Sequence, residues 1–86
     1  MSGPEERERH REWVLAALDK FEGSLQRYVA RLAGDADMAQ DVVQHAFMRL
    51  CGEDPQSVGH VRQWLYAVCR HRAIDLLRKG NRMQAL

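Results

Sequence analysis

Arg62-Gln63-Trp64-Leu65-Tyr66-Ala67-Val68-Cys69-Arg70-His71-Arg72-Ala73-Ile74-Asp75-Leu76-Leu77-Arg78-Lys79 is apolar and strongly basic at once, and its folding decides what the rest of the chain can be. At about 100° per residue, Val61, Leu65, Val68, Cys69 and Leu76 gather on one side of a helix. Gln63, Arg70, His71, Ile74 and Arg78 fall on the other. One side wants a core and the other wants an anion. Gly80 is placed to end this helix as its C′ residue, with Arg78 and Lys79 at the carbonyl end of the dipole, where cations are favoured.

Working back from this stretch, two more helices are expected. Val14, Leu18, Phe21, Leu25, Tyr28 and Leu32 step by four and three along one stripe, predicting a helix to about Ala33. Gly23 interrupts that stripe at a cost of about 1 kcal/mol relative to Ala, without shifting its phase. Gly34 can close the helix and Asp35 or Asp37 can cap the next, with Gln40 three residues after Asp37 giving a capping-box-like start. Val42, Val43, Ala46, Phe47 and Leu50 form the second apolar face, ending near Cys51. The breaker-rich run 52–59 reads as a loop. Nothing alternates with period two, so no strand is expected.

The fold class implied is all-α, a compact bundle of three main helices, with room for a short extra N-terminal helix or a bend near Gly23. Residues 1–12 are expected to be flexible or frayed, although the alternating charges of 5–12 also suit a solvated helix face; 13–82 form the helical domain and 83–86 a tail. A chain of 86 residues holds one core. No run reaches membrane-span length, and Glu5-Glu6-Arg7-Glu8-Arg9 is no signal peptide, so the expected location is cytoplasmic with no membrane partner.

The net charge of +1 hides a gradient along the chain. Residues 33–59 carry five acids and one base, a net of −4, and residues 60–86 carry one acid and six bases, a net of +5. Charge separated in this way suggests two faces with different partners, although solvated surface would look the same. Cys51 and Cys69 both fall on or beside apolar faces and are expected as buried free thiols. A zinc site from Cys51, His60, Cys69 and His71 or His45 lacks the tight ligand spacing such sites use, so no metal and no cofactor are expected.

Catalysis is poorly supported: the chain has no glycine-rich phosphate loop, no nucleophile elbow and no His-Glu-x-x-His, so no catalytic residue is assigned and no enzyme is expected. Nucleic-acid binding fits better. The last helix combines Arg70, Arg78, Lys79 and Arg82 with stackable or hydrogen-bonding groups at Gln63, Tyr66 and His71. Arginines neutralise phosphates whatever the sequence, whereas Gln and His can read a base edge. Arg72 and Asp75, or Asp75 and Arg78, are spaced to form a structural ion pair. Trp64 sits where the two faces meet, suited to a core indole more than to base stacking.

Three fragments in order, Leu32-Ala33-Gly34-Asp35, Ala39-Gln40-Asp41-Val42-Val43-Gln44-His45-Ala46-Phe47 and Trp64 to Arg78, resemble the second conserved region of bacterial extracytoplasmic-function sigma factors. The usual phrasing there is "AEDLVQETF" followed by "WLYRIARNRAIDxLR", and the resemblance spans roughly residues 14–82. It implies a promoter-recognition and melting domain that directs transcription initiation. In the family the "DLVQ" helix docks on the clamp helices of RNA polymerase, which transfers by position to Asp41, Gln44, His45, Met48 and Arg49. The family's loop and following helix capture a base flipped from the single-stranded non-template strand of the minus-ten element. By position that role falls to His60, Gln63, Arg70, His71 and Arg78, with Lys79 beside them. An anti-sigma factor is a further partner that the resemblance implies.

Three departures from the pattern matter. Gln40 stands where the family has Glu, removing one charge from the clamp-facing helix, and His71 stands where Asn is frequent, in the part that reads the captured base. The chain also stops at Leu86 without a helix-turn-helix domain for the minus-thirty-five element, so it is expected to be either an isolated domain or a piece of a longer chain, and not to direct transcription efficiently alone. The rival from another class is a helical protein-interaction domain, binding an anti-sigma or sensor protein, without DNA contact.

Overall fold

In its computed structural model the chain is described over the backbone of residues 3–85 and the side chains of residues 3–80. These residues form helices α1 (Pro4–Ala33), α2 (Ala36–Cys51), α3 (Pro55–Val58) and α4 (Val61–Ala85), with no strand among them. α1, α2 and α4 pack against one another in every pairing, and α3 is a single turn inside the expected loop. The fold is therefore all-α, a bundle of three main helices. Thirty residues at 1.5 Å each make α1 about 45 Å long, which sets most of the 51 Å long axis of the molecule.

The ends of α1 follow from local chemistry. Pro4 stands at the first helical position, where its missing N–H costs nothing, and Glu5 and Glu6 occupy the first turn, where carboxylates suit the dipole. Residues 5–12, expected to be flexible or frayed, are helical, and they form a solvated face of α1. The imidazole Nε2–H of His10 donates to the Cys51 carbonyl oxygen at 2.8 Å, tying this extension to the end of α2. At the other end Gly34 takes a left-handed conformation, φ 68°, and its N–H donates to the Ala30 carbonyl at 2.7 Å. An L side chain there would be strained, which is why glycine closes the helix.

α2 starts on Asp35, whose side chain accepts from the Met38 N–H at 3.0 Å. Asp37 lies inside the first turn, so the capping box with Gln40 does not form. α4 also departs from expectation, since it runs through Gly80 to Ala85 and the expected tail from residue 83 is helical as far as Ala85. Gly80 need not break a helix when its flanks favour one, because its cost is only about 1 kcal/mol.

The core is a three-sided seam. α1 contributes Val14, Ala17, Leu25 and Val29, α2 contributes Ala39, Val42, Val43, Ala46, Phe47 and Leu50, and α4 contributes Leu65, Val68, Cys69 and Ala73. Leu25, Leu50 and Leu65 are completely buried, each contributing about 1.5–3 kcal/mol relative to exposure. Leu18, Phe21, Tyr28, Val61 and Leu76 are only half-buried beside this seam, and Leu32 is exposed. α1 passes through Gly23 as one helix, with no separate N-terminal helix.

Candidate nucleic-acid and partner interfaces

Packing of Leu65, Cys69 and Ala73 into the core turns the opposite side of α4 to solvent, so Gln63, Arg70, His71 and Arg78 are all exposed. Ile74, expected on that open face, is half-buried. Lys79 is exposed but its Nζ lies 3.2 Å from Asp75 Oδ2, an i, i+4 pair along the helix. That pair replaces the expected pairing of Asp75 with Arg72 or Arg78. It is half-solvated, so it adds little stability, but it occupies the sole acid of the basic helix. Arg70 and Arg78 make no ion pair among the described residues. The Arg82 side chain lies outside the described residues.

The segment leading into α4 is built rather than loose. The Asp54 side chain accepts from the Gln56 N–H at 2.9 Å, and Ser57 Oγ donates to the Asp54 carbonyl at 2.8 Å. Gly59, at φ 70° and ψ −88°, reverses the chain in a conformation that L residues rarely adopt. His60 follows, exposed, and its carbonyl accepts the Trp64 N–H at 3.0 Å, so His60 stands at the N-cap of α4. The loop thus presents His60 beside Gln63 at the first turn of the basic helix.

On α2, burial of Val42, Val43, Ala46 and Leu50 leaves Asp41, Gln44, Met48 and Arg49 exposed, while His45 is half-buried. Met48 is 69% exposed, the most of any large apolar side chain described, and Leu15 of α1 is 49% exposed. The two share a groove between α1 and α2, lined also by Leu18, Gln44, Phe47 and Cys51. Leu15 does not figure in the expected site, because the periodic stripe of α1 runs through Val14 and Leu18. Its signal was an apolar residue standing off that stripe. Arg49 plays two parts: it is exposed, and its guanidinium carbon sits 5.7 Å from the centroid of the Trp64 ring on α4. Trp64 is half-buried against the core, as a boundary indole should be.

The cysteines separate. Cys51, expected to be buried, is exposed: it is the last residue of α2, one position beyond Leu50, the last residue of that helix in the core. Cys69 is buried in the seam, and loss of solvation pushes its thiol up to about 11 from 9.0. No cluster of three or more His, Cys, Asp or Glu side chains able to hold one ion occurs among the described residues. Among the described residues no helix is long and apolar enough to cross a membrane.

The comparisons with known proteins bear on the family of this helical bundle. The Sigma-70 region 2 family model matches residues 8–83. The chain is 39% identical over 72 residues to the ECF RNA polymerase sigma factor SigL of Mycobacterium tuberculosis, in the Erdman, CDC 1551 and H37Rv strains alike. That stretch covers 79% of this chain and 40% of SigL, so the chain spans less than half the length of the curated relatives it matches. No solved structure matches the chain. With a family model covering nearly all of the helical bundle, the chain belongs to the Sigma-70 region 2 family, as a domain of the extracytoplasmic-function sigma factor kind.

Proposed function

We propose that this sigma-factor domain recognises promoters by joining RNA polymerase to an unpaired DNA strand, with α2 facing the polymerase and α4 facing the DNA. The observation that carries this reading is the exposure of Gln63, Arg70, His71 and Arg78 together on a helix whose single acid is already paired to Lys79. Arg70 and Arg78 supply sequence-independent attraction to phosphates; His60, Gln63 and His71 supply groups that can read a base. Extruding a base costs a few kcal/mol in lost stacking and pairing. Binding of α2 to polymerase offsets that cost by holding the strand near α4.

On the other side, Asp41, Gln44 and Met48 form the ridge offered to the polymerase clamp helices, with Leu15 extending it across the groove onto α1. Family resemblance supports the partner; the exposed Met48 and Leu15 support the location, since apolar side chains this open gain by being covered. The domain works by binding and positioning and performs no chemistry of its own.

The test is fluorescence anisotropy with a labelled single-stranded library of randomised sequence. Binding should weaken steeply as salt rises and be lost on Arg70→Ala with Arg78→Ala. Affinity that ignores both salt and those substitutions would favour the other reading, a helical domain whose exposed faces serve protein partners such as an anti-sigma factor.

A further inference from the structure

Among the described residues, one side-chain hydrogen bond joins two of the main helices. It runs from the imidazole Nε2–H of His10 on α1 to the Cys51 carbonyl oxygen at the end of α2, 2.8 Å apart and 41 residues distant in sequence. The other side-chain bonds span two or three residues. The last carbonyls of a helix have no partner within it, and a histidine side chain can supply one. The ring is held as well as the proton: His10 is half-buried, and its centroid lies 5.6 Å from that of Trp13 with the planes 53° apart.

Cys51 is where α2 passes into the link that sets His60 and Gln63. The Gly52 N–H donates to the Arg49 carbonyl at 3.0 Å and the Glu53 N–H to the Leu50 carbonyl at 3.1 Å, which carries the chain from the last turn of α2 to the Asp54 cap of α3. Ser57 and Val58 then donate their N–H groups to the Asp54 carbonyl at 2.9 and 3.2 Å. All of these bonds are local, so they fix the shape of the link and not its place on the bundle. Val58, packed against the core, anchors the far half. Beside the near half, Glu6, Arg9 and Trp13 of α1 line one open cleft with Gly52, Glu53 and Pro55. The hydrogen bond that ties the two sides of that cleft is the one from His10 to Cys51.

We propose that His10 is a positioning residue: it holds the last turn of α2, and through it the link 52–59, at the place on the bundle from which His60 and Gln63 read a base. The inference rests on His60 and Gln63 being base readers, and it adds a residue of α1 that stands outside both DNA-facing elements. A side chain that reads a base edge needs a supporting shell, because hydrogen bonds weaken steeply when misaligned. Attraction between an arginine and a phosphate tolerates more displacement. Loss of the His10 tie therefore costs discrimination between bases and leaves the general attraction of Arg70 and Arg78 for a strand.

The experiment titrates the 86-residue chain by fluorescence anisotropy against labelled twelve-residue strands of thymidine, cytidine and adenosine. The ratio of tightest to weakest measures base reading, and the weakest measures general attraction. The parent should separate the strands by roughly tenfold or more, the discrimination of one well-placed side-chain pair. His10→Phe keeps a ring against Trp13 and removes the donor, whereas His10→Gln removes the ring and keeps a donor nitrogen at similar reach. In His10→Phe the ratio should fall by roughly three- to tenfold, the worth of about one hydrogen bond, with the weakest strand bound as before. Hydrogen exchange at the Glu53 and Ser57 amides should quicken by a similar factor, and His10→Gln should restore both readouts. A ratio or an exchange rate unchanged in His10→Phe, or equal losses in His10→Gln, overturns the positioning role while leaving His60 and Gln63 as base readers. A parent that binds all three strands alike, or none, overturns base reading and this inference with it.

Discussion

The guanidinium of Arg49 lies over the ring of Trp64, 5.7 Å from its centroid, and so joins the exposed ridge of α2 to the basic helix α4. A residue expected only at a partner surface is thereby also a tie between the two surfaces. Arg49→Ala should lower stability by about 0.5–1 kcal/mol, the worth of a cation–π contact at an exposed site. Urea unfolding of Arg49→Ala, Trp64→Leu and the double variant measures the coupling. The substitutions should be less than additive; strict additivity would mean that the two side chains merely lie close.

Gly23 lies on the exposed side of α1, in the helix interior, and a Cβ added there would meet only the end of the Arg27 side chain, at 3.5 Å. Gly23→Ala should therefore raise stability by about 0.5–1 kcal/mol, since alanine restricts the unfolded chain and favours the helix. A thermal melt followed by circular dichroism reads the gain. A lower melting temperature would show that α1 needs its glycine.

Cys69 gives stability a dependence on alkaline pH. Its thiol titrates near 11 when folded against 9.0 when unfolded. Below pH 9 both states hold the proton and nothing is lost. Between about 9 and 11 the unfolded chain releases its proton first, so stability falls with rising pH, by about 2–3 kcal/mol across the window. Cys69→Ala should be less stable at neutral pH because of the cavity, yet decline less between pH 9 and 11. Equal slopes for parent and variant would refute burial of the thiol. In the same protein, Cys51 should react with a thiol reagent at once and Cys69 only on unfolding.

Much of this was legible in the residues, and the misses have physical reasons. The α2 face was readable because Val42, Val43, Ala46, Phe47 and Leu50 are all large or firmly in phase, and all five are buried. Ala17, Val29 and Ala73 were harder: two are small, and all three lie beside larger side chains that carry the periodic signal. The helical state of residues 5–12 rests partly on the His10 contact with Cys51, 41 residues away, which no local pattern contains. Asp35 and Asp37 were equally good caps by type, and the αL turn at Gly34 decides for Asp35 by bringing the chain into α2 one residue later.

For the candidate faces, the exposure of Asp41, Gln44, Met48, Gln63, Arg70, His71 and Arg78 follows directly from which side each helix buries. What periodicity could not reach is who sits across from whom. The pairing of Lys79 with Asp75 was an i, i+4 option passed over for i, i+3 alternatives, and the i, i+4 spacing brings long side chains together more directly. Leu15 joins Met48 only because α1 and α2 pack side by side.

The central claim is that two exposed faces of one bundle serve separate partners, and a crossed binding measurement tests it most directly. Gln44→Ala with Met48→Ala, and Arg70→Ala with Arg78→Ala, are each titrated against a polymerase clamp-helix fragment and against a single-stranded oligonucleotide, with helicity checked by circular dichroism. The first pair should lose the fragment by about tenfold or more and keep the strand, and the second should do the reverse. If either pair, still helical, lost both ligands equally or neither, the assignment of the faces would be contradicted.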